Sequence, residues 1–198
     1  SQKVIGFGGD GDTFSEGMAH FIHAARFNAD MVMNVHQNQV FALTTGQATP
    51  TSECGFHTKA QPFGTYHEPL NPIKLALSAG ASFVARVYPM DLNHTKKVIK
   101  KAIKWKGFSF IEAVLPCIAY HNDKEFLENN IYKLEESDHD KTDKKQAEKR
   151  ADEWNYDLDG GKIGLGIFYE KRKKTLAEKI PQLKELKEEG KGWHEVKR

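Results

Sequence analysis

Cysteine is scarce: only Cys54 and Cys117 occur among 198 residues. Two thiols make no disulfide framework, and such sparse usage fits a reducing compartment. An excess of one charge is also missing. The 29 Lys and Arg are nearly cancelled by 27 Asp and Glu, and a net charge of +2 gives no global pull toward nucleic acid or acidic lipid. No apolar run approaches the roughly 18 to 20 residues that a membrane span needs, and the first residues carry no signal-peptide pattern. A soluble, cytoplasmic protein with neither a nucleic-acid nor a membrane partner is therefore expected. No internal repeat of useful length occurs.

What is present is enough apolar residue, 39% of the chain, to bury one sizeable core. KVIGF (3–7) reads as a short buried strand that ends at Gly8-Gly9, and FSEGMAHFIHAARFN (14–28) has apolar residues at helical spacing. ADMVMNVH (29–36) reads as a second buried strand, with NQVFAL continuing it. Residues 44–69 are polar and rich in Gly, Thr and Pro, and a loop of that length points to a ligand or an interface. A helix over 71–81 stopped by Gly80, a strand over 82–88, an amphipathic helix over 92–106 and a strand over 107–115 follow. Buried strands alternating with helices predict a doubly wound, mostly parallel α/β sheet.

Both charge signs concentrate after residue 121. Residues 1–120 are therefore read as the core, and 121–198 as a charged helical extension. Phe126, Ile131, Tyr132, Leu134 and Trp154 are spaced as a narrow packing stripe along its exposed helices. A strand near 162–169 returns to the core, and a terminal helical arm is interrupted at Pro181.

The chemistry concentrates in Gly9-Asp10-Gly11-Asp12, at the carboxyl end of the first strand and the opening of the first helix. In open parallel sheets ligands sit at that end, and free backbone N–H groups there favour phosphate. The spacing of Gly9, Gly11 and Gly17 does not fit G-x-G-x-x-G, and no Gly-Lys-Ser/Thr forms a Walker A loop. A turn that sets a carboxylate beside a phosphate needs a hard cation between the two anions, and Mg2+ is the usual one. Short Gly-Asp turns are common, so the second strand has to supply more. Asn38 stands 28 positions after Asp10, and its amide oxygen with the Val40 carbonyl would complete a protein face for Mg2+ beside a diphosphate. His20 and His23 share a helix face at i, i+3 without a third ligand, and read as packing against the sheet.

The segments GGDGDTFSEGMAHFIHAARFNADM, NQVFALTTGQATPTS, ASFVARVY, KGFSFIEAVLPC and GIFY resemble the beta subunit of the 2-oxoacid:ferredoxin oxidoreductases, thiamine-diphosphate enzymes that include pyruvate synthase. The resemblance runs from the first strand to about residue 172. It implies the thiamine-diphosphate-binding fold, with Mg2+ on the side chains of Asp10 and Asn38 and the Val40 carbonyl. Gly9, Gly11 and Asp12 would lie against the diphosphate and Leu43 near the thiazolium ring. It makes Cys117, in its Pro-Cys setting, one of four ligands of a [4Fe-4S] cluster. The family's other three cysteines precede the GDG strand, and Ser1 stands only eight residues before Gly9; either they come from another chain, as expected, or the cluster is not there.

The implied activity is oxidative decarboxylation of a 2-oxo acid such as pyruvate to acyl-CoA, with reduction of ferredoxin. An alpha-type subunit would complete the thiamine site and supply the glutamate that activates the aminopyrimidine, so no catalytic acid or base is assigned in this chain. A non-redox thiamine-diphosphate decarboxylase and a noncatalytic interaction module of the same fold are the alternatives. Gln37, Thr45 and Ala19 depart from the family's usual aspartate, glycine or lysine, and asparagine, and leave the substrate class open.

Overall fold

The computed structural model describes residues 2–192 and residue 195. Strand β1 (Val4–Gly9) leads into a short helix α1 (Asp10–Phe14) and then α2 (Met18–Phe27), which ends on Asn28 in the left-handed conformation, φ 54°. Strand β2 (Met31–Gln37) follows, then the two-residue strands β3 (Val40–Phe41) and β4 (Gln47–Ala48), which pair with each other apart from the main sheet. Helix α3 (Pro72–Ala79) is capped by the Asn71 side chain and stopped at Gly80, whose φ of 88° suits glycine. Strand β5 (Phe83–Val87), helix α4 (Leu92–Lys104) and strand β6 (Ser109–Val114) complete the central alternation.

After them come α5 (Lys124–Asn130), β7 (Ile131–Lys133), α6 (Lys144–Ala151), β8 (Ile163–Glu170), α7 (Leu176–Lys179) and α8 (Pro181–Glu188). The main sheet has six strands in the order β1-β2-β6-β5-β8-β7. β1, β2, β6 and β5 run parallel, while β8 lies antiparallel to β5 and parallel to β7.

Alternating side chains of these strands feed a core on each face of the sheet, as the two-residue period requires, and a third cluster gathers Val114, Leu127, Trp154, Tyr156, Ile163 and Leu165. On one face Val35, Val84, Phe110 and Phe168 pack with Phe21 of α2, Leu77 of α3 and Ala147 of α6. On the other, Val32, Ala85, Ile111 and Ile167 pack with Val98 and Ala102 of α4. Helices thus cover both faces of a mostly parallel sheet, which is the expected α/β class. No helix among the described residues is long and apolar enough to cross a membrane.

Four local expectations are corrected. β1 is an edge strand with Val4, Ile5 and Phe7 exposed, because an apolar run alone does not distinguish a central strand from an edge. β2 does not continue through Val40, since Gln39 adopts a left-handed backbone (φ 59°) and redirects the chain. His20 and His23 are not buried against the sheet; His23 stacks on Phe27 at 5.6 Å between ring centroids. Trp154, expected along a surface stripe, is fully buried with Tyr156 against it at 4.2 Å.

Candidate functional site at the carboxyl ends of β1 and β2

Asp10 leaves the end of β1, and Asn38 leaves the end of the neighbouring β2, so parallel pairing brings residues 28 apart in sequence to one end of the sheet. The Asn38 backbone N–H donates to Asp10 Oδ1 at 3.5 Å, while the Asn38 side-chain oxygen accepts from the Val40 N–H at 3.2 Å. The left-handed Gln39 between them makes the tight reversal that directs Asn38 and Val40 into the same space. That space is a cavity of about 300 Å³ lined by Gly9, Asp10, Gly11, Asp12, His36, Asn38 and residues 40–44.

Asp10 is only 1% exposed. Burial pushes its carboxyl above the usual carboxylate range, against the opposing pull of the Thr49 and Thr51 hydroxyls and the Asn38 amide. Thr51 Oγ1 donates to Asp10 Oδ2 at 2.8 Å, but among the described residues no ammonium or guanidinium pairs with Asp10. A desolvated carboxylate that lacks a cation, beside an amide oxygen, is a donor set suited to a hard divalent ion. At Gly11 an added Cβ would stand 2.2 Å from the Phe41 ring, so glycine is required for the turn to pass beneath β3.

The other residues singled out in the sequence take different places. Gly9 and Asp12 line the cavity, Asp12 exposed and its carboxylate 3.4 Å from the Gly9 N–H as a local acceptor. Val40 is buried, whereas Leu43 stands on the rim with 98% of its surface free. Cys117 is half-buried and exchanges two backbone hydrogen bonds with His121, at 3.0 and 2.9 Å. Cys54 is exposed and its Sγ donates to the Thr65 carbonyl at 3.7 Å. Among the described residues no group of three or more His, Cys, Asp or Glu side chains is gathered as a metal site.

The long segment 44–69 divides in function. Thr49, Thr51 and Ser52 are buried and hydrogen-bonded beneath the cavity, with Ser52 Oγ donating to the Gln39 carbonyl at 2.5 Å. Further along, Phe63 and Tyr66 are 85% and 79% exposed. Phe56 meets the His121 ring edge-on at 5.2 Å, which brings this loop to the Cys117 hairpin. Burial pulls the His121 pKa down, but the Glu53 carboxylate 3.0 Å from its Nε2 overrides this and holds the imidazole above its ordinary value. Thr51 is the site residue that sequence reasoning missed; its signal was the polar TPTS run within a loop already marked for binding.

The geometry agrees with the likeness of this chain to known proteins. The family described as thiamine pyrophosphate enzyme, C-terminal TPP binding domain, matches residues 1–113, and the family for the C-terminal part of the pyruvate ferredoxin oxidoreductase beta subunit matches residues 117–185. The 2-oxoacid:ferredoxin oxidoreductase subunit beta of Saccharolobus solfataricus is 38% identical over 91% of this chain and 63% of its own length. The 2-oxoglutarate synthase subunit KorB of Methanothermobacter thermautotrophicus is 34% identical over 91% of this chain and 62% of its own. Among solved structures, the 2-oxoglutarate:ferredoxin oxidoreductase from Magnetococcus marinus with 2-oxoglutarate, coenzyme A and succinyl-CoA bound superposes with a TM-score of 0.82 at 29% identity, over 93% of this chain and 62% of that one. The chain thus spans about three fifths of the length of these relatives. On these matches the chain belongs to the thiamine pyrophosphate enzymes, and among them to the beta subunits of the 2-oxoacid:ferredoxin oxidoreductases.

Proposed function

We propose that this chain is the thiamine-diphosphate-binding part of a 2-oxoacid:ferredoxin oxidoreductase. Asp10 and Asn38 hold Mg2+ by their side chains and Val40 by its carbonyl, with Gly9, Gly11 and Asp12 around the diphosphate. The observation that carries this reading is the buried Asp10 carboxylate, without an ammonium or guanidinium in salt-bridge contact among the described residues and turned with Asn38 into one cavity. Bound there, the cofactor supplies the chemistry that removes carbon dioxide from a 2-oxo acid such as pyruvate or 2-oxoglutarate. The chain's own residues bind and orient it: the carboxylate and amide fix the ion, and the glycine turn leaves room for phosphate oxygens. Leu43 presents an apolar side chain at the open rim, where the thiazolium ring would lie.

In this reading the cavity is closed by an alpha-type subunit. Its contact is the end of the sheet where Leu43, Phe63, Tyr66 and Ile118 are exposed. Cys117 would provide one thiolate of a [4Fe-4S] cluster and another chain the other three cysteines, since such clusters take four and this sequence has only Cys54 besides. Held there, the cluster would supply a one-electron path toward ferredoxin, and coenzyme A would be the acceptor of the acyl group, in an assembly working in the cytoplasm.

The test is thermal unfolding of the protein, with any copurifying partner, in thiamine diphosphate plus Mg2+. At a hundredfold over its dissociation constant the ligand stabilises by about 2.7 kcal/mol, a Tm rise of roughly 5 to 10 °C for a domain this size. The rise is absent in Asp10→Ala. No rise in the wild type even with its partner would leave the noncatalytic module as the better reading. Iron and sulfide in the complex, lost in Cys117→Ala, separate ferredoxin chemistry from a non-redox decarboxylase.

A further inference from the structure

Beneath the cavity lies an ion pair whose position is hard to explain by stability. Arg86 of β5 and Glu112 of β6 face each other across neighbouring parallel strands, both with no exposed surface, and Arg86 Nε donates to Glu112 Oε2 at 2.6 Å. Withdrawing both charges from water costs about as much as their attraction returns, and apolar replacements of such pairs are often no less stable. The pair is also incompletely satisfied. Arg86 Nη1 has no hydrogen-bond partner among the described residues, and the guanidinium lies against Trp154, Tyr156 and Phe168, 5.1 to 5.5 Å from their ring centroids.

Its outward hydrogen bonds run toward the cavity along two routes. On the first, Glu112 Oε1 accepts from Gln37 Nε2 at 3.4 Å, and the Gln37 oxygen, 2.9 Å from Thr51 Oγ1, shares the single proton of that hydroxyl with the Asp10 carboxylate. The same hydroxyl is 2.8 Å from Asp10 Oδ2. Glu112 also fixes the sense of this chain, because an inverted Gln37 amide would set its oxygen against a carboxylate. On the second, Tyr156 O–H donates to Glu112 Oε1 at 2.7 Å while Arg86 Nη2 donates to the same phenol at 2.8 Å. The Tyr156 carbonyl then accepts from Gln39 Nε2 at 2.7 Å, and that nitrogen also donates to the Thr51 carbonyl at 2.8 Å. Gln39 and Tyr156 both hold left-handed backbones, at φ 59° and 71°, a conformation that persists in such residues only when its surroundings fix it.

We infer that the buried Arg86, Glu112 and Tyr156 cluster is a positioning device for the divalent ion. Through Gln37 and Thr51 it orients the Asp10 carboxylate, and through Gln39 it sets the turn that presents Asn38 and Val40. None of the three lines the cavity. The inference rests on the Mg2+ site proposed above. Its chemical consequence is selectivity: Mg2+ demands near-octahedral geometry at short distances, whereas Ca2+ accepts longer and looser arrangements. A ligand set released from its brace therefore loses Mg2+ affinity more than Ca2+ affinity.

The experiment is titration calorimetry of Mg2+ and of Ca2+ in saturating thiamine diphosphate, on the protein with its copurifying partners. The variants are the double substitution Arg86→Met with Glu112→Leu, and Tyr156→Phe alone. The double variant is expected to fold with a somewhat lower ligand-free Tm, because the Tyr156 hydroxyl and the Gln37 amide lose their acceptor, to raise the Mg2+ Kd roughly 10- to 100-fold as lost outer-shell partners do, and to lower the Mg2+/Ca2+ preference about tenfold. Tyr156→Phe, which keeps the ring and the carbonyl, gives the low end of that range, roughly tenfold. A folded double variant with both ion constants unchanged overturns the inference and leaves the cofactor site standing. Should the double variant not fold, unchanged constants in Tyr156→Phe overturn it equally. Absence of Mg2+-dependent cofactor binding in the wild type removes both readings.

Discussion

Asp10 and Glu112 are both carboxylates withdrawn from water near the same end of the sheet, yet their surroundings are opposite. Glu112 is met by a guanidinium, a phenol and an amide, all donors. Asp10 is met by neutral threonine hydroxyls and a long amide contact, and burial holds its pKa up. A buried acid that the protein neutralises belongs to the framework, whereas one left electrostatically incomplete is ready for a ligand from outside. Charge compensation, more than burial, separates the two regions.

The sharpest way to break the contrast is to remove one side of the satisfied pair. Glu112→Leu without a change at position 86 leaves a buried, unpaired guanidinium, with an expected loss of about 3–5 kcal/mol in urea unfolding. The double variant described above should recover most of it. Asp10→Asn is the counterpart: ligand-free stability should change by less than about 1 kcal/mol, because no counterion is stranded. The roughly 2.7 kcal/mol of stabilisation by a hundredfold excess of thiamine diphosphate and Mg2+ should vanish, which parallel melts with and without ligand would reveal.

Asp123 supplies an intermediate case. Burial pushes it up to about 6, and the cation paired with it among the described residues is His121, whose Nδ1 is 3.9 Å away. Its folded pKa exceeds the unfolded value near 4, so ionising it disfavours folding. The penalty is absent below about pH 4, grows through about pH 6 and is constant above. Asp123→Asn should therefore stabilise the protein by about 1–2 kcal/mol at pH 7 and leave it unchanged at pH 4, as urea midpoints across that range would show. Equal gains at both pH values would mean that the effect is not that of charge.

Much of the architecture was legible because it is written locally. The Gly80 stop, the amphipathic α4 and the apolar runs of β2, β5 and β6 each follow from neighbouring residues. Asp10 and Asn38 were legible for a related reason, since each ends a strand and successive parallel strands end side by side. Arg86 and Glu112 were not: each is a single charge within an apolar segment, and their pairing is fixed by strand register. Trp154 and Tyr156 were hidden by the density of charge around them, which suggested a solvated surface. The direction of β8, antiparallel to β5, also left no mark, because a strand fully buried on both faces has the same sequence pattern in either sense.

The hydrogen bond from Gln39 to the Tyr156 carbonyl spans 117 residues. At synthesis rates of about 5–20 residues per second, roughly 6 to 23 seconds pass between the ribosome's addition of one partner and the other. Through that interval the Asn38–Val40 reversal exists without its brace, and β5 lacks β8 as its neighbour. The turn proposed to bind the cofactor is thus among the first parts of this chain to be made and among the last to be set, so on that proposal the nascent protein gains its affinity for the ion only when the domain is nearly whole.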